Sequence, residues 1–138
     1  MKIIVCGSIS AADEILSVKQ KLEEAGHIVE VPEGVKNAQL RQRTDVTMEE
    51  KAQDKIEHNL IRGYFEKMKE YDAVLVVNPD KRGVRGYIGP NTLIEMAFGH
   101  VLNKTLYCLN PLPEMSYTSE LLAMQPTILK GDLSLLVK

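Results

Sequence analysis

A doubly wound α/β fold built on a five-stranded parallel sheet is what this sequence predicts. Three observations carry the expectation. Short apolar runs rich in β-branched residues (Lys2 to Cys6, Asp72 to Val77, Thr105 to Leu109) lack the in–out alternation of a sheet with one wet face, so both faces must be covered. Segments with helical spacing separate these runs, and strands joined through helices pair in parallel by right-handed crossovers. The connections are short, and the 138 residues suffice for one core and one domain, spanning residues 1–138.

Lys2 to Cys6 (KIIVC) reads as a strand ending at Gly7-Ser8. Ser10 is placed to cap a helix running to about Ala25, with Ile15, Leu16, Val18 and Leu22 along one face and Gly26 as its stop. His27 to Val31 is a short second strand closed by Pro32. Glu33 to Asp45, with Lys36, Arg41 and Arg43, has neither periodicity and reads as an exposed loop, either a lid or a plain connection. Thr47 to Glu50 has the capping-box pattern of a helix reaching about Glu70, with Gly63 as a point of bending. Asp72 to Val77 (DAVLVV) is the most apolar strand, followed by a loop rich in Gly and Pro from Asn78 to Pro90. Asn91 is placed to cap a helix, TLIEMAFGHVL, which is apolar on nearly every side and so reads as buried. Thr105 to Leu109, a short helix over Tyr117 to Met124 and a strand at Thr127 to Leu129 complete the order. The five strands imply the flavodoxin-like sequence 2-1-3-4-5 across the sheet.

Composition excludes several classes. Seventeen basic against nineteen acidic residues give a formal charge of −2, which argues against a nucleic-acid polymer or an anionic membrane surface as partner. No apolar run approaches the ~20 residues needed to cross a bilayer, and the opening apolar run is too short for a secretory signal. Cys6 and Cys108 are the only cysteines, each inside an apolar strand. With one strand between them they stand about 9–10 Å apart, too far for a disulfide. They read as reduced core thiols of a cytoplasmic protein. No CxxC occurs, and His27, His58 and His100 are scattered, so neither a metal nor an organic cofactor is expected.

In such sheets ligands bind beyond the carboxyl ends of the strands where the winding reverses, here between the first and third strands. That brings Gly7, Ser8 and the loop from Asn78 to Pro90 around one crevice, with the amides of the following helix pointing into it. GSISAA is neither G-x-G-x-x-G nor a P-loop, so a dinucleotide or triphosphate cradle is disfavoured. Glu95 stands alone as an acid in an apolar helix. Near the sheet's carboxyl edge, favoured as an anion by the helix dipole and partly desolvated, it has the character of a nucleophile for an anomeric carbon. The alternative is a carboxylate that merely answers the dipole or caps a loop amide. Lys81, Arg82 and Arg85 read either as phosphate contacts or as a solvated loop, and Tyr87 as a base-stacking or merely exposed ring.

Taken in order, CGS at Cys6 to Ser8, DAVLVV, the Gly-rich loop, T-x-x-E-M-A at Thr92 to Ala97, Asn103-Lys104 and LYCLN form a pattern. Over roughly Met1 to Pro113 it resembles the nucleoside 2-deoxyribosyltransferase-like superfamily, including its deoxynucleoside monophosphate N-glycosidase branch. The stretch YIGPNTLIEMAFGHVLNK is similar to an uncharacterised prokaryotic group within it. The resemblance implies a flavodoxin-like fold and cleavage or transfer of a (deoxy)ribose–base bond, with Glu95 as catalytic nucleophile. Gly7 and Ser8 match the loop that holds the sugar or its 5′-phosphate, and Asn91 and Thr92 match the turn before the glutamate. Asn78, Asp80 and Gly89 complete the expected substrate-binding set, Asn78 or Asp80 lying near the base. Three positions depart from the pattern: Ile4 replaces a tyrosine, Gly89 a phosphate-binding serine, and Tyr64 an aspartate that assists the leaving base. Glu57 and Glu66 are nearby acids without a motif, and Ile88 to Asn91 keeps no acid from the transferase branch.

The expected activity is therefore that of an N-glycosidase or nucleoside deoxyribosyltransferase acting on a small-molecule nucleoside or nucleotide. The alternatives are a nucleotide-binding or sensing module that kept the crevice without the reaction, or another sugar-directed enzyme on the same fold. A homodimer or higher homo-oligomer is also expected, with the apolar segment Leu112 to Met124 as a contact.

Overall fold

The computed structural model describes residues 1–36, 49 and 59–136. The first apolar run forms β1 (Lys2–Cys6), and after a 3₁₀ turn at Ile9–Ala11 the chain enters α1 (Ala12–Glu24) and returns as β2 (Ile28–Glu30). A single helical turn, α2 (Glu33–Lys36), follows, and then α3 (Leu60–Met68) leads into β3 (Ala73–Val76). The remainder is α4 (Pro90–Val101), β4 (Thr105–Cys108), α5 (Thr118–Ala123), β5 (Thr127–Ile128) and a closing 3₁₀ turn at Leu133–Leu135. The five strands pair in parallel in the order β2-β1-β3-β4-β5, the arrangement the sequence predicts.

Register follows from two-sided burial. Ile3, Ile4, Val5 and Cys6 pair with Ala73, Val74, Leu75 and Val76, and every one of these side chains is buried. Alternate residues serve opposite layers. Ile3, Val5, Ala73, Leu75 and Tyr107 pack with Ile15, Val18 and Leu22 of α1. Ile4, Cys6, Val74, Val76, Leu106 and Cys108 pack with Tyr64 and Met68 of α3, Met96 of α4 and Leu121 of α5. Cys6 and Cys108 stand level across Val76, each a free thiol. Burial holds the Cys108 thiol up at about 12.

The depth at which α4 lies on the sheet is set by Gly99. A Cβ at that position would stand 2.8 Å from Leu106 Cδ2 and 2.9 Å from Val74 Cγ2, inside any real contact distance. Hydrogen in place of a methyl group lets the helix axis sit against β3 and β4.

Several local expectations are corrected. Ser8, not Ser10, is the cap: its side chain accepts the Ser10 amide at 3.3 Å and opens the 3₁₀ turn that precedes α1. Leu16 is 38% exposed, so the buried stripe of α1 is Ile15, Val18 and Leu22. The segment from Glu33, expected as loop, begins with the turn of α2, which buries Val35. The helix before β3 runs through Gly63 without a break and starts after Asn59, whose φ of 50° is left-handed. Gly89, not Asn91, occupies the cap position of α4, with Pro90 as first residue, because proline lacks the amide that a helix start leaves unpaired. Nor is α4 buried all round: Ile94 is 40% and Val101 74% exposed. Within Leu112 to Met124, Leu112, Tyr117, Leu121 and Met124 pack with this chain's own core, while Leu122 is 61% exposed. Residues 37–48, with Arg41 and Arg43, most of the capping box, Glu57 and His58 lie outside the described residues.

At the β2 edge, Glu30 accepts from Lys36 Nζ at 2.5 Å and Lys67 Nζ at 3.3 Å, joining α2, β2 and α3. Burial alone would raise its carboxyl, but Lys36, the Val31 amide and Lys67 outweigh it and hold the group below its ordinary 4.5. A depressed carboxyl adds stability above its unfolded value and loses it as pH falls through the folded one. The lysines are 42% and 44% exposed, so the gain is at most about 1 kcal/mol. Glu30→Gln is therefore expected to lower the urea midpoint at pH 7 and to converge with the parent protein well below pH 4.5. An equal difference at both pH values would refute the ionic origin.

Candidate functional site

The carboxyl ends of β1 and β3 diverge into two loops, and a cavity of about 150 Å³ lies between them. Ser8, Ser10, Ala11 and Glu14 line it from the β1 side. Val77, Pro79, Asp80, Lys81, Tyr87, Gly89 and Thr92 line it from the β3 side. It stands at the reversal of winding, where such sheets bind ligands. Gly7 allows this closeness, since a Cβ there would meet both Val77 O and Ile15 Cδ1 at 3.0 Å.

The loop after β3 is held by Asn78, which is fully buried. Its Nδ2 donates toward the carbonyls of Gly86 (3.2 Å), Asn110 (3.1 Å) and Pro111 (3.3 Å). Its Oδ1 accepts the Asn110 amide at 3.0 Å, and Asn110 Nδ2 returns a bond to the Asn78 carbonyl at 3.1 Å. Asp80 accepts the Gly86 amide at 2.9 Å, and Lys81 and Val84 exchange backbone bonds of 3.0 and 2.9 Å. Gly86 itself has φ +64°, and a Cβ there would fall 2.3 Å from Pro111 O. Tyr117 donates its hydroxyl to Ile88 O, tying the end of the loop to α5.

Lys81 reaches across the mouth. Its Nζ lies 3.4 Å from Ser8 Oγ and 5.3 Å from the centre of the Tyr87 ring. Ser8 Oγ also lies 2.8 Å from Ser10 Oγ. Among the described residues the crevice thus offers hydroxyls, one lysine and the carboxylates of Glu14 and Asp80. The first helical bond of α4, Leu93 N to Gly89 O at 2.9 Å, leaves the Asn91 and Thr92 amides ahead of it.

Glu95 stands one turn beyond Thr92, partly buried, on the α4 face that crosses β1. Its carboxylate is near enough to the fully buried Cys6 thiol to act on it electrostatically. Burial first, then the charge and hydrogen bond of Glu95, push that thiol well above its ordinary range. Tyr64 comes from α3 and donates its hydroxyl to Val5 O. Burial, then the proximity of Cys6 and Glu95, hold its phenol well above the usual value.

Of the residues expected from the sequence, Ser8, Asp80, Gly89 and Thr92 meet around the cavity, and Gly7 shapes its floor. Asn78 is brought to the crevice with its amide already spent on loop carbonyls, so it acts as a clasp. Asn91 is exposed on the first turn of α4, outside the cavity lining. Arg82 and Arg85 are exposed, and Glu66 pairs with Lys69 at 3.2 Å. Sequence reasoning missed Ser10 and Glu14 as lining residues and Cys6 as the neighbour of Glu95. Ser10 and Glu14 follow once the cap moves to Ser8, whereas the Cys6 contact depends on helix depth, which no local motif encodes.

A larger hollow of about 330 Å³ opens between α3 and α4, lined by Asn59, Ile61, Arg62, Phe65 and Phe98. Among the described residues its lining holds no acid or hydroxyl. Among the described residues no group of three or more His, Cys, Asp or Glu side chains could hold a metal ion. No helix among them is long and apolar enough to cross a membrane. No family model, curated protein or solved structure matches the chain.

The clasp gives two expected outcomes. Asn78→Ala strands the Asn110 amide and several loop carbonyls, and should cost about 2–4 kcal/mol in urea unfolding. Gly86→Ala combines a left-handed backbone with a collision on a backbone oxygen and should cost at least about 2 kcal/mol, or roughly 6–10 °C in Tm. A parent-like Tm in either variant would show that the loop is not held in this way.

Proposed function

We propose that the protein cleaves or transfers the N-glycosidic bond of a (deoxy)nucleoside or nucleoside monophosphate, with Glu95 as nucleophile. One observation carries the reading: a partly buried carboxylate, one helical turn from a hydroxyl-lined cavity at the β1–β3 crevice. The order of CGS, DAVLVV and T-x-x-E-M-A along the chain supports the same class, a nucleoside 2-deoxyribosyltransferase-like enzyme. It fits a cytoplasmic enzyme of nucleotide metabolism acting on small molecules without a metal or organic cofactor.

The cavity of about 150 Å³ is smaller than the roughly 300 Å³ of typical small-molecule sites. It suits the sugar end of a nucleoside, with the base directed outward past Asp80 and Tyr87. Ser8 and the loop amides hold the sugar or its phosphate, and Lys81 supplies a positive charge beside Ser8. A Glu95 oxygen attacks C1′ as the C1′–N bond breaks, and the electron pair leaves on the base, which takes a proton from water. Water or a second base then attacks C1′ and releases the carboxylate.

A binding module is the second reading, and one observation favours it. Tyr64, at the position of the leaving-group acid, already donates its hydroxyl to Val5 O. Incubating purified protein with a panel of deoxynucleosides and their monophosphates separates the two. Release of free base, reduced on the order of a thousandfold or more in Glu95→Ala, is expected of the enzyme. A ligand-dependent rise in Tm with no base released, and no difference between parent and Glu95→Ala, would overturn the enzymatic reading in favour of binding.

A further inference from the structure

We infer that Tyr87 is a ligand-binding residue of the crevice, whose phenol hydroxyl meets, together with that of Thr92, an oxygen at the pentose end of the bound molecule. The choice of a pentose rests on the nucleoside reading above, whereas the two open hydroxyls are independent of it. Thr92 is 3% exposed and lines the cavity, yet its hydroxyl makes no hydrogen bond among the described residues. No buried side-chain oxygen or nitrogen among them lacks a partner, so the Thr92 hydroxyl opens onto the cavity it lines. Tyr87, half-buried on the same wall, also keeps its hydroxyl unspent among the described residues. Tyr64 and Tyr117 differ, giving theirs to the carbonyls of Val5 and Ile88.

The phenol is held from two directions. Lys81 Nζ stands over the ring, 5.3 Å from its centre. Gly89 stands at its edge: a Cβ there would lie 3.2 Å from Cε1, 3.4 Å from the hydroxyl oxygen and 3.7 Å from Cζ. Cζ sits between the other two atoms and is the farthest, so position 89 looks into the notch between Cε1 and the hydroxyl, not onto the π face. Gly89 has an extended backbone, φ −84° and ψ 177°, which any residue adopts. Its lack of a side chain therefore answers the ring, whose oxygen stands beside the place where that side chain would begin, one turn before Thr92. Of the other polar lining groups, Ser8 and Ser10 bond each other, Lys81 approaches Ser8, and Asp80 accepts the Gly86 amide. Tyr87 and Thr92 hold the lining hydroxyls with no such partner. A pentose hydroxyl or the oxygen of its phosphate ester accepts from either.

The test is calorimetric titration of parent and Tyr87→Phe protein with 2-deoxyribose and 2-deoxyribose 5-phosphate, which have no base to release. Phenylalanine keeps the ring, its contact with Lys81 and any stacking on a base, and removes the hydroxyl alone. Binding of both sugars should weaken about threefold to tenfold if the partner is a sugar hydroxyl. If it is the phosphate, only the ester should weaken, by roughly tenfold or more. The Tm without sugar should not move, because the hydroxyl has no partner inside the protein. Tyr87→Ala should bind as weakly as Tyr87→Phe or more so, and adding Gly89→Ser, which returns a hydroxyl to the vacated place, should recover about threefold. Unchanged sugar binding in Tyr87→Phe, a lowered Tm without sugar, or a parent protein that takes up neither sugar overturns the proposal. So does a double variant no better than Tyr87→Ala. Sugar binding weakened by Tyr87→Phe in a protein that releases no base sustains the role of Tyr87 and refutes the glycosidase reading. Base release with the same KM and kcat in parent and Tyr87→Phe does the reverse, so the two failures are distinguishable.

Discussion

The side-chain amide of Asn78 has no water to turn to, so every hydrogen bond it forms must come from the two loops that leave the sheet beside it. Those loops follow β3 and β4, and without the amide the carbonyl of buried Gly86 would lose this partner, as would those of Asn110 and Pro111 nearer the surface. Each unmet group would cost about 1–3 kcal/mol. The clasp therefore closes the end of the sheet where its winding reverses. Gly86 allows the approach, Asp80 fixes the turn from the other side, and Tyr117 anchors Ile88 at the exit. The cavity wall is the outer surface of this arrangement, which is why Lys81 and Tyr87 hold defined places over Ser8.

A second constraint acts from beneath. With no side chain at Gly99, α4 settles onto Val74 and Leu106, and the residue one turn earlier is brought against the end of β1. Glu95 thereby lies near Cys6 and Tyr64, beside a layer that includes Ile4, Met68 and Met96. Ionisable groups in such surroundings influence one another strongly, and this grouping is one support for the proposed site. The loop clasp sets the shape of the crevice, and helix depth sets how close α4 comes to the end of β1.

Much of the architecture was legible in the residues. KIIVC, DAVLVV and TLYCL have no solvent-facing alternation, and chains of that kind are stable only between two helical layers. The resulting strand order puts Ser8, Asp80, Gly89 and Thr92 together with no further information. What was illegible depends on tertiary geometry or on fine backbone choice. Ser8 and Ser10 are both good caps, and only the 3₁₀ turn decides between them. Asn91 has the chemistry of a cap, but Pro90 beside it already satisfies a helix start and moves the boundary to Gly89. The apolar circumference of α4 suggested complete burial, yet a helix on the outside of a three-layer fold keeps one side wet, and Ile94 and Val101 are on it. Asn78 stands in the sequence as a residue expected near the base, and its partners on a loop thirty-two residues away leave no local signal.

The sheltered sulfurs have a practical bearing. The chain's two cysteines lie level on neighbouring-but-one strands, covered by helices, one without solvent contact and the other with its proton held to about 12. Neither will react readily with maleimides or iodoacetamides at neutral pH. A single cysteine introduced into the β3–α4 loop would thus take a fluorophore or spin label selectively in the otherwise native background, giving direct access to how the mouth of the crevice responds to an added compound.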